Sequence, residues 1–352
     1  MSIRTVSELS TAVYKIINYE KATYLGSLDN YFTRAAMFGD PSTSGNSCAI
    51  TKEAVATLLS NHGFNDVYLK TSGGSWSSSM RDQLSDGSLF FNYRGYLGMS
   101  GFTNSDVDNA SNGYKLPFAT VLTCGTGSFS EDQTCMSEKF FRAGTVSNPK
   151  GGVAAIGTAT WNTHTLFNNI VDMGLYHGLL ADQVETAGAC LVSGKLSLLN
   201  TYPTDPYQWI SAFTHWNNLI GDPATHLWTK TPELFTVNHE SQVSYGTNYF
   251  NVLVQDSLGN PISDALAAIR NGECIIVVDD ERRENEGDLI CAAQFATPQQ
   301  INFMATEGRG LICLAMQGDK LDALELPLMA VSYTHLRAHE TSLHLVCRLL
   351  LE

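Results

Sequence analysis

Two hydrophobic rhythms alternate along the first two-thirds of the chain. At 6–19, Val6, Leu9, Val13, Ile16 and Ile17 recur at helical spacing, which predicts a helix laying that stripe on a core, and 52–61 repeats the pattern. Between and after these come apolar runs of strand length at 35–38, 66–69, 89–93, 118–123 and 153–158, each followed by Gly, Ser or Thr. Helical stretches at 136–143 and 165–180 separate the later runs. Strands that are apolar without alternation are buried on both faces. The pattern therefore predicts an α/β fold, a mostly parallel sheet with helices on both faces. In such sheets the reactive groups gather where strands end. His215 and His226 flank 217–223, where the Asp222–Pro223 turn is expected to end a helix; packing or capping is their expected role.

Past Trp228 the rhythm changes. Residues 232–237 and the alternating stretch 249–254, followed by Leu258-Gly259-Asn260-Pro261, predict the opening strands of a small β-sandwich. A helix at 264–270 then leads through Asn271-Gly272 into the apolar run Cys274–Val278, with a further helix at 297–306 and a strand at 310–316.

Composition narrows the function. The chain has 352 residues, 43% hydrophobic and 10% aromatic, enough for two domains with a substantial core. A net charge of −14 excludes a nucleic-acid surface, which needs clustered Lys and Arg. No apolar run approaches the roughly 18 residues of a membrane span, and the N-terminus lacks the charged-then-apolar layout of a signal peptide. The eight cysteines are dispersed without a CxxC pair; a Cys124–Cys135 disulfide is compatible with their spacing but not required by it.

The first chemical candidate is Cys124, which ends the run 118–123 and is followed by Gly125-Thr126-Gly127. Small neighbours are expected to leave backbone N–H groups free to hold an oxyanion near the sulfur. The thiol still needs a base or a cation to become a thiolate. His164 follows the next strand and would face the same sheet edge, which makes it the candidate imidazole for Cys124; capping of the following helix is its alternative role.

Residues from about 3 to 230 resemble the gingipain-type cysteine peptidases, a clan with a caspase-like α/β fold. The resemblance rests on Lys15–Glu20, the strand ends Phe91-Asn92-Tyr93-Arg94-Gly95 and Leu122-Thr123-Cys124, Ala155-Ile156-Gly157, and Asn218–Pro223. It implies a Cys-His dyad with Cys124 as nucleophile, a peptide or protein substrate, and no cofactor. The family places a Gly-His-Gly turn after the Asn92–Arg94 strand, whereas this chain has Gly95-Tyr96-Leu97-Gly98, so Tyr96 stands at the family histidine position. Tyrosine is a poor base at neutral pH. The alternative implied is a non-catalytic peptidase-like binding module.

The second candidate is 279–289, DDERRENEGDL, with eight charges in eleven positions of a chain that is 16% charged overall. Clustered carboxylates beside an arginine pair suit a hard divalent cation and an anionic substrate. The string resembles the signature of 3,4-dihydroxy-2-butanone 4-phosphate synthase, an enzyme of riboflavin biosynthesis, as do the helix before it, 308–314 and 326–329 after it. The resemblance implies Mg2+ on Glu284, ribulose 5-phosphate contacted by Arg283 and Asp288, and Glu286 lining the site. Arg282 replaces a residue that is acidic in the family. The family's second half is not matched, so synthase activity is not expected.

The expected organisation is a gingipain-like domain at 1–235, a β-sandwich stub at 236–261, a truncated α+β synthase fragment at 262–330, and a tail at 331–352 that fits neither family. The tail carries His335 and His339 at i, i+4, a spacing able to hold zinc on a helix. Its likeness to translated sequencing-adapter read-through, with two families joined near 261–263, marks the chain as a chimera. The peptidase family is usually secreted and the synthase family cytoplasmic, so the resemblances leave the compartment undecided.

Overall fold

The computed structural model describes residues 3–22, 30–130, 133–161, 163–205, 207–233, 235–239, 252–256, 268–278, 287–308 and 312. It divides into two units, Met1–Pro232 and Glu233–Glu352.

In the first unit, α1 spans Val6–Glu20, β1 Arg34–Gly39, α2 Pro41–Ser44, α3 Ser47–Asn61, β2 Asp66–Lys70, α4 Trp76–Asp86 and β3 Phe90–Arg94. Then follow α5 at Asn104–Asp108, β4 at Phe118–Val121, α6 at Met136–Arg142, the small hairpin of β5 (Gly144–Thr145) and β6 (Asn148–Pro149), and β7 at Ala154–Thr158. The unit closes with α7 at Thr165–Leu180, α8 at Ala187–Thr201, α9 at Trp209–Trp216 and β8 at Asn217–Ile220. The six-stranded sheet runs β2-β1-β3-β4-β7-β8, parallel except for β8, which pairs antiparallel with β7 through Ala155↔Ile220 and Thr158↔Asn217. The segment expected to end a helix at Asp222–Pro223 is thus an edge strand.

Period-two alternation divides the strands between two cores. Ala35, Met37, Phe90, Phe118, Ala154 and Ile156 pack on one face with α3 and α7. Ala36, Phe38, Phe91, Val121 and Ala155 pack on the other with Trp76, Met80 and Leu84 of α4. That two-sided burial explains why the strands look uniformly apolar in sequence.

The stripe expected to bury α1 mostly points the other way, with Ile16 alone of its five residues buried. Val6 is 80% exposed and Leu9, Val13 and Ile17 are exposed too, while Thr11, Ala12, Lys15, Ile16 and Tyr19 are buried. Lys15 sets this rotation. Its fully buried Nζ donates to the carbonyls of Phe141 and Lys150 (2.8 Å each), Phe140 (3.2 Å) and Ala143 (3.4 Å). Burial pulls its pKa down to about 7, whereas carbonyl oxygens on every side favour the ammonium, which alone has three N–H donors to share. Tyr19 anchors the last turn, its carbonyl accepting from Trp228 Nε1 at 2.9 Å.

In the second unit, β9 (Phe235–His239) and β10 (Val252–Asp256) form an antiparallel pair in the region expected to open a β-sandwich. A second antiparallel pair joins β11 (Ile275–Val278) to β12 (Gly287–Ile290), and α10 (Pro298–Phe303) follows, with a capping box between Thr297 and Gln300. The expected strand at 310–316 and the tail 331–352 lie outside the described residues, apart from Ile312.

Candidate functional site

The carboxyl edge of the sheet carries the candidate chemistry. Strand order switches at β1, whose chain leaves toward β2 on one side and returns at β3 on the other. At this edge Asp40 follows β1, Gly95–Gly101 follow β3, Cys124 follows β4, and Ala159–His164 follow β7. Cys124 is 6% exposed and bridges to Leu97.

The turn after Cys124 is held tightly. Thr123 Oγ1 donates to Gly98 O (2.7 Å), and Thr126 Oγ1 to Val121 O (2.6 Å). The N–H of Gly125 donates to Thr160 O (2.8 Å) and that of Gly127 to Thr158 O (3.0 Å). These donors, expected to be free for an oxyanion, are therefore engaged. Gly125 has φ +76, and the Trp161 ring lies 2.6 Å from where its Cβ would be; at Gly127 a Cβ would meet the Gly157 backbone at 2.6 Å. Both positions need glycine, the first for its left-handed backbone and the second for close approach of two chains.

The sulfur has a hydroxyl partner: Cys124 Sγ and Thr163 Oγ1 lie 2.9 Å apart, and either can donate. His164, one residue on, is exposed and caps α7, its Nδ1 accepting from Leu166 N–H at 3.3 Å while its ring packs on Phe167. An accepting Nδ1 places the ring proton on Nε2. Tyr96 is 56% exposed beside Leu97. The cysteines described, Cys124 and Cys135 among them, are free thiols.

Cys124 forms part of the wall of a cavity of about 240 Å³. Leu97, Met99, Phe102, Met136 and Trp161 supply its apolar side. Its Leu97–Met99 wall is braced from behind, where Ser100 contacts Asp40 through its hydroxyl and Tyr93 OH lies 2.7 Å from Ser100 Oγ. Burial pushes the Asp40 carboxyl up, but hydrogen bonds from Ser100 and Ser42 outweigh it and hold the group below the usual range.

Behind this edge lies a charged network that sequence reasoning missed. Lys52 Nζ contacts Asp172 Oδ2, and Asn92 Nδ2 donates to Asp172 Oδ1 at 2.9 Å. Arg94 donates through Nε to Asn169 Oδ1 (2.8 Å) and through an Nη to Thr165 O (3.1 Å), while its Nη1 has no partner among the described residues. Lys52, Arg94 and Asp172 are all buried. Burial lowers Lys52 to about 8 against the opposing pull of Asp172, and lowers Arg94, which lies within electrostatic reach of Cys48, Asp172 and Cys124. The signal was available as polar residues breaking apolar elements, Asn92 and Arg94 in β3 and Asp172 within Ile170-Val171-Asp172-Met173.

In the second unit, Arg283, Glu284 and Glu286 lie outside the described residues. Asp288 is on β12 with its backbone opposite Val277, and its side chain is likewise outside them. Among the described residues no cluster of three His, Cys, Asp or Glu is placed to hold a metal.

A thiol on a cavity wall at the carboxyl edge of a parallel sheet is the arrangement of the cysteine-peptidase α/β class. The chain belongs to peptidase family C25, whose family model matches residues 1–228. The solved structure of the Arg-specific cysteine proteinase gingipain R aligns with a TM-score of 0.60 at 20% identity, covering 72% of this chain and 60% of that one. The complex of Porphyromonas gingivalis RgpB pro- and mature domains aligns equally well, at 61% of its chain. At that identity the likeness establishes a gingipain-like fold. The model of 3,4-dihydroxy-2-butanone 4-phosphate synthase matches residues 263–346. In this region the chain is 68% identical over 73 residues to the riboflavin biosynthesis protein RibBA of Synechocystis, 21% of this chain and 13% of that protein. It is 62% identical over 68 residues to the synthase of Agrobacterium fabrum, 19% of this chain and 32% of that protein. The chain thus spans at most about a third of these two curated relatives and joins segments of two unrelated families.

Proposed function

We propose that the first unit is a cysteine-type peptide hydrolase site in which Cys124 is the nucleophile and His164 the imidazole that serves it. One observation carries this reading: Cys124 lines a cavity and its sulfur lies 2.9 Å from the hydroxyl of Thr163, the residue that immediately precedes a histidine. To serve the thiol, His164 would give up a 3.3 Å cap, an interaction worth about 1 kcal/mol, and its packing on Phe167. In the reaction, the imidazole takes the thiol proton as sulfur bonds to the scissile carbonyl carbon. The C–N bond then breaks, the departing amine takes that proton, and water hydrolyses the thioester to free the sulfur.

The test is alkylation of the full chain with iodoacetamide, read by mass spectrometry at Cys124. The expected result is rapid, pH-dependent labelling that slows in His164→Ala. An unchanged rate in that variant removes His164 from the mechanism. A second reading, a peptide-binding module without turnover, is favoured by Tyr96 at the family histidine position. It predicts an inert Cys124 in the same experiment.

For residues 263–346, family membership supports ribulose 5-phosphate as the substrate class with Mg2+ as its ion, Glu284 being the proposed ligand, Arg283 and Asp288 the substrate contacts, and Glu286 a wall of the site. The metal would polarise the ketone of the sugar phosphate. Formate release from ribulose 5-phosphate and Mg2+ is the corresponding assay.

A further inference from the structure

We infer that the cavity beside Cys124 is a specificity pocket for an uncharged, apolar side chain of the methionine or leucine kind, carried by the residue whose carbonyl the thiol attacks. This rests on the reading of Cys124 as nucleophile and adds the class of peptide it would cleave.

Three observations support it. The cavity is lined in part by Cys124, which places a guest side chain beside the scissile bond. Its walls are aliphatic, aromatic and thioether groups, and Met99 and Met136 are unbranched side chains that mould themselves to a guest. The polar groups on the described lining are all uncharged. The Asn104 amide is spent on Thr134 O (2.7 Å), and the Cys135 thiol is pushed up to about 11 by burial and the nearby Glu138 charge, which keeps it neutral. Ser128, buried on the same wall, has a hydroxyl without a partner among the described residues. It adds one weak dipole.

The energetics then discriminate. Transfer of an apolar side chain of this size from water is worth about 1.5–3 kcal/mol, or about tenfold or more in rate. An arginine or lysine would lose its hydration with no carboxylate on the described lining to replace it. Glu131 and Asp132 precede Gln133 in sequence and lie outside the described residues, so the experiment must include them.

The full chain is treated with peptidyl acyloxymethyl ketones that differ only in the residue next to the electrophile, norleucine, leucine, arginine, lysine or glutamate, with adduct formation at Cys124 followed by mass spectrometry. Iodoacetamide, which needs no pocket, is run in parallel. The expected result is that norleucine and leucine label about tenfold or more faster than the charged residues, and that Met136→Asp moves the preference toward arginine and lysine. Equal rates across the series, with iodoacetamide still labelling Cys124, overturn the pocket assignment and leave the nucleophile standing. A preference for arginine in the unsubstituted chain, abolished by Glu131→Gln/Asp132→Asn, also overturns it. Failure of iodoacetamide at Cys124 removes the nucleophile and this inference with it.

Discussion

Asp172 is the one carboxylate among the described residues that faces two buried cations, Lys52 and Arg94, and its removal should be far more damaging than the removal of Lys52. Asp172→Asn keeps the shape and the amide geometry toward Asn92 but leaves two cations against no anion. Breaking a buried pair from one side costs about 3–5 kcal/mol, because the surviving charge keeps its desolvation penalty without its partner. In a unit of this size each kcal/mol lowers Tm by about 2–4 °C, so a fall of about 6–20 °C is expected. Lys52→Met leaves Asp172 with Arg94, one charge against one, and should cost less. The pH dependence follows from Lys52, lowered from 10.5 to about 8 by burial. Between those values the unfolded chain binds more protons than the folded one, so the penalty is complete below about 8 and relieved as pH rises toward 10.5. Without Asp172 the lysine is held down by burial alone, so the deficit of Asp172→Asn relative to wild type should shrink between pH 7 and 10. Thermal and urea unfolding across that range measure both effects. If Lys52→Met costs as much as Asp172→Asn, or if the deficit is flat with pH, the charge balance described for this network is wrong.

Two further outcomes are expected. Gly125→Ala must adopt φ +76 and displace the Trp161 ring, for about 1–2 kcal/mol of lost stability, with faster alkylation of Cys124 as the ring moves away; unchanged unfolding and alkylation would contradict the packing of Trp161 on this turn. Asp40 is held below its unfolded value by Ser100 and Ser42, so its contribution is complete above about pH 4 and lost as pH falls through its folded value. Asp40→Asn should therefore flatten the acid limb of stability against pH, and an acid limb identical to wild type would dismiss that role.

The inner strands were legible because burial on both faces turns each into a short apolar block, as at 35–38 and 118–121, and 66–69 falls on the partly exposed strand at the sheet edge. The rotation of α1 was not legible. Its apolar stripe is real, but Lys15 has a stronger demand for carbonyl oxygens than Val6 or Leu9 has for burial, and those carbonyls come from residues more than a hundred positions away. The edge strand at Asn217–Ile220 was hidden by two asparagines, one of which is buried with its side-chain oxygen accepting from Thr158 Oγ1 (3.0 Å). At the site, the strand-end rule brought Cys124 and the 159–164 loop to one edge. It could not choose between Thr163 and His164, because an irregular loop has no period to say which residue faces inward.

Lys15 has a last implication. A shell of carbonyl oxygens around a buried positive centre is what proteins commonly build for a captured sodium or potassium ion. Here the polypeptide fills that role with its own ammonium, carried in on the first helix. The join between that helix and the turn after α6 therefore depends on no solute, and neither dialysis nor a chelator can strip it.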